Sequence, residues 1–173
     1  MWAVLKRVAV AFAIASLFAY MHLGYAFLIW TAISSILVLY GSWNTLWVSL
    51  PGKDPKSGRI VWYKALLFLP YHVAVFFIML VGKLNSRLRK YISFNEISNG
   101  IYVGDYYSSF LSDMPWQAVV DLTNELPRMT TTKRYLNIQS WDGCPPSVEN
   151  IQRGVDFILA SKRPVLIHCA YVS

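Results

Sequence analysis

A histidine and a cysteine directly follow a short apolar stretch near the end of the sequence. Residues 165–167 are apolar and largely β-branched and follow Pro164, which predicts a buried parallel strand that leads into His168 and Cys169. Open α/β sheets bind ligands where such strands end. A thiol placed there meets backbone N–H groups of the following turn, which favour the thiolate and bind anions. The pattern indicates nucleophilic thiol chemistry, and the alternative is a buried structural cysteine.

Other segments of the second half predict the elements that would position this thiol. Residues 101–104 predict a short edge strand, and residues 118–122 and 135–138 predict buried strands. Ser147 predicts the N-cap of a helix. The apolar residues of that helix have helical spacing and are Val148, Ile151, Val155, Ile158 and Leu159. Strands that alternate with helices predict an α/β sheet with parallel neighbours.

The charges of the 173 residues are divided unevenly along the chain, although the sequence as a whole is 55% hydrophobic. Residues 1–95 contain ten Lys and Arg against one acidic residue, Asp54, whereas residues 96–173 contain six basic and eight acidic residues. The positive excess in the apolar half fits anionic lipid, and the second half lacks the basic stripe of a nucleic-acid-binding protein. We therefore predict a membrane region over 1–90 and a second domain over 91–173, with no nucleic-acid partner.

No charged residue occurs between Arg7 and Lys53. This length fits two membrane spans and predicts an N-terminal transmembrane α-helical hairpin, with spans at about 4–21 and 25–48. A signal peptide is the alternative for the first span, but the apolar run continues far beyond a cleavage site.

A third apolar segment, 65–81, contains Pro70 and predicts a kinked re-entrant or interfacial helix, with a third full span left open. The positive-inside rule then predicts an integral membrane protein whose C-terminal domain faces the cytoplasm. Four basic residues after the segment are predicted to bind anionic lipid headgroups of the bilayer, namely Lys83, Arg87, Arg89 and Lys90.

The two cysteines, Cys144 and Cys169, are too few for a disulfide scaffold and do not have zinc-site spacing with the three histidines. We expect a reducing compartment, no metal and no cofactor.

The order of motifs resembles the dual-specificity branch of the cysteine-dependent protein tyrosine phosphatase superfamily, in its membrane-anchored subgroup. The matching segments cover about 97–172 and are EISNGIYVGD at 96–105, VVDLTNE at 119–125, SWDG at 140–143 and VLIHC at 165–169. The resemblance implies an incomplete α/β phosphatase-like domain in which Cys169 is the nucleophile and His168 orients the loop. It also implies that Asp142 protonates the leaving oxygen and later activates water.

The sequence departs from the family at the phosphate-binding loop, His-Cys-x-x-Gly-x-x-Arg. Val172 occupies the glycine position, and the position of the loop arginine lies beyond Ser173. We therefore expect a form that is truncated inside this loop and inactive.

The resemblance implies that the parent protein is a membrane-anchored phosphatase of phosphomonoesters, either phospholipids and phosphoinositides or phosphoproteins. One alternative is a non-catalytic membrane binding or regulatory protein with a pseudophosphatase tail, and another is a membrane protein whose tail has no function. Cys144 is expected to be an inert thiol, with a protective disulfide to Cys169 as the alternative.

Overall fold

The computed structural model describes residues 26–42, 47–88, 94–111, 113–141 and 144–170, together with positions 10, 13, 14 and 17. The helices are α1 (Ala26–Ser42), α2 (Trp62–Leu67), α3 (Leu69–Leu88), α4 (Ser108–Leu111) and α5 (Val148–Leu159). The strands are β1 (Phe94–Ser98), β2 (Ile101–Gly104), β3 (Ala118–Asp121), β4 (Arg134–Asn137) and β5 (Val165–His168).

The five strands form one mixed sheet in the order β1-β2-β5-β3-β4. β1 and β2 are antiparallel, and β2, β5, β3 and β4 run parallel to one another. The strands predicted at 101–104, 118–122, 135–138 and 165–167 are confirmed to within one residue at each end. The predicted edge position of 101–104 is wrong, because Gly100, at φ 72°, turns the chain so that β1 covers the outer side of β2.

The transmembrane hairpin predicted at 4–21 and 25–48 is wrong. None of the helices in the described part of the chain combines the length and the apolar character that crossing a bilayer requires. α1 has 17 residues, and the 20 residues of α3 include His72, Lys83 and Arg87. The first predicted span lies almost wholly outside the described residues. The fold class is a mixed five-stranded sheet with helices, instead of a membrane hairpin followed by an incomplete domain.

The predicted re-entrant or interfacial segment 65–81 is divided between α2 and α3. Phe68 ends α2 with φ −102° and ψ 20°, and α3 begins at the next residue. Pro70 therefore lies in the first turn of α3, where its missing N–H leaves no helical hydrogen bond unmade. Phe68 is buried, so the break turns an aromatic ring into the protein interior.

One hydrophobic core joins these helices to the sheet-bearing half of the chain. Its buried members are Val38, Phe68, Tyr71, Val75, Met79, Tyr106, Leu126 and Trp141. The core therefore draws on residues from both sides of position 90, and α3 packs against the segments that follow β2 and β3.

Helix α5 begins as the sequence predicts. Ser147 has an extended backbone, and its Oγ accepts a hydrogen bond of 3.3 Å from the backbone N–H of Asn150. Gly154 is the buried residue of this helix, and a Cβ there would lie 3.0 Å from Cδ1 of Ile138. The glycine thus permits close packing of α5 on the segment after β4.

Replacing Ser147 by alanine is expected to lower the free energy of unfolding by about 1 kcal/mol, because the Asn150 N–H loses its cap. Urea unfolding of the two proteins measures this difference. Lys162→Ala, in the exposed turn after α5, is the control and should lie within about 0.5 kcal/mol of the parent. Equal losses in the two variants would contradict a capping role for Ser147.

Candidate functional site

The carboxyl ends of the four parallel strands form one row at a single edge of the sheet. Gly104 of β2 is the register partner of His168, which is also the partner of Asp121 of β3. Asp121 is in turn the partner of Asn137, the last residue of β4. The prediction that His168 ends a parallel strand at the carboxyl edge of a sheet is confirmed, and the row continues with Asp121 and Asn137.

The imidazole of His168 is almost completely buried, with 2% of the residue exposed. Its Nε2 lies 3.9 Å from Oδ1 of Asp121, and its Nδ1 lies 3.4 Å from the carbonyl oxygen of Cys169. Burial lowers the pKa of His168, an effect that the negative charge of Asp121 opposes. The ring is therefore neutral at pH 7, next to the residue that carries the thiol.

Cys169 follows β5 directly and is partly buried. The carbonyl of His168, one residue earlier, accepts a hydrogen bond of 2.9 Å from the backbone N–H of Leu122. This bond extends the pairing of β5 with the β3 side of the sheet beyond the last strand residue. Cys144 and Cys169 are not joined in a disulfide. The structure thus holds the backbone directly before the thiol against the centre of the sheet.

The predicted general acid, Asp142, lies outside the described residues. Its described neighbours are Trp141, which is buried in the shared core, and Cys144, which packs on that core. The backbone N–H of Cys144 donates a hydrogen bond of 2.9 Å to the carbonyl of Trp141. The role of Asp142 remains a prediction from the resemblance.

The four basic residues predicted to bind headgroups are described only in part. Arg89 and Lys90 lie outside the described residues, as does the side chain of Arg87. The ammonium of Lys83 lies 5.0 Å from the centre of the Tyr107 ring, which is within the range of a cation–π contact. This cation of α3 therefore faces the segment that follows β2.

Sequence reasoning missed the central cation of the site, Lys53. Its side chain is 0% exposed, and its Nζ lies 2.5 Å from Oδ2 of Asp121 and 2.8 Å from Oγ1 of Thr123. Its carbonyl accepts a hydrogen bond of 2.5 Å from Nε2 of Gln139. The stretch 51–64, predicted as a basic loop, thus contributes a residue that is buried at the carboxyl edge of the sheet.

The turn around Lys53 is shaped by residues suited to it. Gly52 has φ 101°, which side chains larger than hydrogen resist. Lys53 pairs with Ile60 in an antiparallel bridge. Between them, Asp54 accepts hydrogen bonds from the backbone N–H groups of Lys56 and Ser57 at 3.2 and 3.0 Å. These contacts make 53–60 a small ordered hairpin whose first residue is Lys53.

The carboxylate of Asp121 is fully coordinated by protein groups. Besides the ammonium of Lys53, Oδ2 accepts a hydrogen bond of 2.6 Å from the hydroxyl of Tyr135. Oδ1 accepts bonds of 2.8 Å from both the backbone N–H and the hydroxyl of Thr123. Asn137 donates to the carbonyl oxygens of Asp121 and Thr123 at 2.8 and 3.0 Å. These hydrogen bonds connect the turn after β3 to the end of strand β4.

The pKa values of this network follow from its burial and its charges. Burial alone would raise the pKa of Asp121, but nearby positive charge and the hydrogen bonds to the carboxylate outweigh this effect, so the pKa lies below the usual value. Burial lowers the pKa of Lys53, and Asp121 opposes that shift. Burial raises the pKa of Tyr135, and the carboxylate adds to the effect. Asp121 is therefore an anion that holds a neutral phenol and an ammonium.

A cavity of about 310 Å³ lies beside this edge, near the start of α5. Its walls include Val48, Gln139, Trp141, Cys144, Ser147 and Asn150. No group of three or more histidine, cysteine or acidic side chains in the described residues is arranged to hold a metal ion.

One signal in the sequence bears on the missed lysine. Asp121 ends a strand whose other residues are all apolar. This pattern predicts a buried carboxylate that needs a neighbouring positive charge. The sequence does not identify which of the 16 basic residues supplies that charge. No family of proteins, no curated protein and no solved structure gives a match to this chain.

Proposed function

We propose that the chain carries the thiol site of a cysteine-dependent phosphatase of phosphomonoesters, with Cys169 as the nucleophile. The observation that supports this most is the place of His168 and Cys169 at the end of β5, which lies between two parallel neighbours. Open α/β sheets bind ligands at the carboxyl ends of their strands, which is where a thiolate of Cys169 would lie. The order of motifs along 97–172 adds the substrate class.

The proposed reaction has two displacements at phosphorus. The thiolate sulfur of Cys169 forms a bond to phosphorus while the bond to the ester oxygen breaks, and that oxygen takes a proton from the carboxylic acid of Asp142. Water then attacks the phosphocysteine, its proton returns to the Asp142 carboxylate, and the thiolate leaves. Inorganic phosphate and an alcohol are the products, and no redox partner is needed.

The described side chains have distinct parts in this proposal. Asp121 and Lys53 neutralise each other in the interior, so neither contacts the substrate. Neutral His168 lies beside Asp121, and its Nδ1 lies 3.4 Å from the carbonyl oxygen of Cys169, so the ring positions the backbone of the thiol residue. The phosphate oxygens would be held by backbone N–H groups after the strand, as is usual for anions at such turns.

The structure changes the basis for choosing a substrate. A membrane hairpin would favour phospholipids and phosphoinositides, and none of the described helices is long and apolar enough to cross a bilayer. The proposal therefore names the phosphomonoester as the substrate class, with lipid and protein esters as candidates to be compared in the same assay.

Phosphate is expected to protect Cys169 from alkylation. At about ten times its dissociation constant, it should slow the labelling of Cys169 by iodoacetamide about tenfold, because the bound anion covers the thiolate. Mass spectrometry of the full chain measures labelling at each cysteine, and Cys144 is the internal control, at which phosphate should have no effect. Chloride at equal ionic strength is the control for salt.

Turnover completes the test. Hydrolysis of p-nitrophenyl phosphate is measured with the chain extended through the loop arginine that the resemblance implies, and with the Cys169→Ser form of that extended chain, which is expected to lose all measurable activity. Equal rates in the two proteins would remove Cys169 as the nucleophile. Equal labelling of Cys169 with and without phosphate would remove the anion site.

A second candidate function is a non-catalytic phosphate-binding module. Val172 favours it, because a β-branched residue resists the positive φ that phosphate loops require of a glycine at this position. This candidate predicts protection of Cys169 by phosphate without any turnover, whereas the enzyme predicts both.

A further inference from the structure

A lysine with no exposed side-chain surface is unusual in proteins unless it is paired. Lys53 is such a residue, and it reaches the carboxyl edge of the sheet from a hairpin 68 residues before its partner Asp121. Replacing a buried ion pair by apolar residues often leaves stability unchanged or improves it. The pair therefore calls for a role other than stability.

Lys53 cannot be a substrate-binding cation. Its ammonium is 0% exposed and is held by Asp121 and Thr123, both of which are buried themselves. Its charge can act only on neighbouring groups.

His168 is the ionisable neighbour of the pair that directly precedes the thiol residue, and its Nε2 lies 3.9 Å from Oδ1 of Asp121. Several elements place titratable groups around this ring. They are Asp121 of β3, Lys53 of the 53–60 hairpin, Asp105 and Tyr106 of the turn after β2, and Cys169, which follows His168 in the sequence. Tyr106 keeps a neutral hydroxyl because burial raises its pKa, and burial also raises the pKa of Asp105. Asp121 is therefore the anion that most directly favours protonation of the imidazole.

We propose that Lys53 is a positioning residue of the Cys169 site. By taking up the Asp121 carboxylate, it keeps His168 an uncharged ring directly before the thiol. The assignment deepens the proposed function and rests on it for the role of Cys169. It makes the 53–60 hairpin part of the site, although the sequence places that hairpin far outside the phosphatase-like segment.

The distances support the pairing of the Asp121 carboxylate with Lys53 instead of with His168. The ammonium lies 2.5 Å from Oδ2, whereas the imidazole nitrogen lies 3.9 Å from Oδ1, beyond hydrogen-bond range. Without the ammonium, Asp121 would attract a proton to Nε2, and the ring would turn into a cation. The positive charge of Lys53 and burial both lower the pKa of His168, with burial the larger effect. A cationic ring would place a positive charge next to the residue that carries the thiolate and change both the ionisation and the reactivity of that thiolate.

Histidine NMR of the full chain tests the proposal. Lys53→Gln keeps a hydrogen-bond donor toward Asp121 and removes the charge, and Lys53→Met removes both. In either variant, the protonated fraction of His168 at pH 7 should rise about tenfold. Lys53→Arg keeps the charge and should retain the titration of the parent. Lys56→Met, an exposed position of the same hairpin, is the matched control and should also retain it.

His72 reports on local structure in the same spectra, because its Nε2 lies 3.0 Å from the carbonyl of Pro51. An unchanged His168 titration in folded Lys53→Gln would overturn the proposal. A parallel shift of His72 and His168 would do the same, since it would show that the hairpin had moved. A shift of His168 alone, absent in Lys53→Arg and Lys56→Met, is the expected result.

The pH profile of Cys169 alkylation links this role to the thiol. It should change in Lys53→Gln and stay unchanged in Lys56→Met. The two proposals fail separately. If phosphate does not protect Cys169 in the parent chain but the His168 titration shifts in Lys53→Gln, the proposed phosphatase function is wrong and the role of Lys53 stands. Intact protection with an unshifted His168 would remove the role of Lys53 alone.

Discussion

Asp121→Ala is expected to lower the free energy of unfolding by about 3–5 kcal/mol, the loss typical of breaking a buried ion pair from one side. The alanine would leave the ammonium of Lys53 fully buried, with a hydrogen bond to the neutral hydroxyl of Thr123 but without the carboxylate that it contacts at 2.5 Å. The hydroxyl of Tyr135 would also lose its acceptor. Urea unfolding followed by tryptophan fluorescence measures the loss.

Two further variants show whether the loss comes from an uncompensated charge. Lys53→Met should cost less than Asp121→Ala, because the carboxylate keeps its bonds from Tyr135 and Thr123 and can pair with a protonated His168. The double variant Lys53→Met/Asp121→Leu removes both charges and should recover most of the stability. A double variant less stable than Asp121→Ala would contradict this explanation.

Leu166→Ala is expected to lower the free energy of unfolding by about 2–5 kcal/mol. Leu166 lies in the central strand β5, is 0% exposed and forms a buried cluster with Trp116 and Val119. Alanine removes buried methyl groups there and leaves a cavity, because the neighbouring strands on both sides hold the backbone in place. Thermal and urea unfolding measure the loss.

The matched control for this cavity is Ile97→Ala on the edge strand β1. Ile97 is 62% exposed, so its truncation should change stability by at most about 0.5 kcal/mol. Similar losses at Leu166 and Ile97 would contradict the assignment of β5 to the centre of the sheet.

The strands could be predicted because their signals are local. Residues 118–121 and 165–168 are short apolar runs with polar residues at their carboxyl ends, and both became neighbouring buried strands. The capping serine of α5 is likewise a local signal. The spacing of apolar residues predicted this helix but not its burial, since Val148 and Leu159 are 83% and 73% exposed.

The arrangement of the N-terminal helices could not be predicted from hydropathy. The buried residues of α1 include the hydroxyl residues Thr31, Ser34 and Ser35, and both serines donate hydrogen bonds to the carbonyl of Thr31. Such small side chains satisfy themselves within the helix and permit close approach of α3. An average over the segment records its apolar character and does not show which residues make contact.

The candidate site divides in the same way. His168 and Cys169 follow their strand directly, so the sequence places them at its end. Lys53 lies 68 residues from Asp121, and no pattern in either segment specifies their pairing. A contact of this kind depends on how the 53–60 hairpin packs against the folded sheet, and local sequence patterns do not predict that packing.

The separation of Lys53 from Asp121 also has a consequence for biosynthesis. Ribosomes add about 5–20 residues per second, so the lysine leaves the ribosome several seconds before the aspartate 68 positions later. Throughout that interval the carboxylate of Asp121 is not yet present to replace the water around the ammonium. The buried ion pair that joins the 53–60 hairpin to the sheet can therefore form only after β3 has been synthesised.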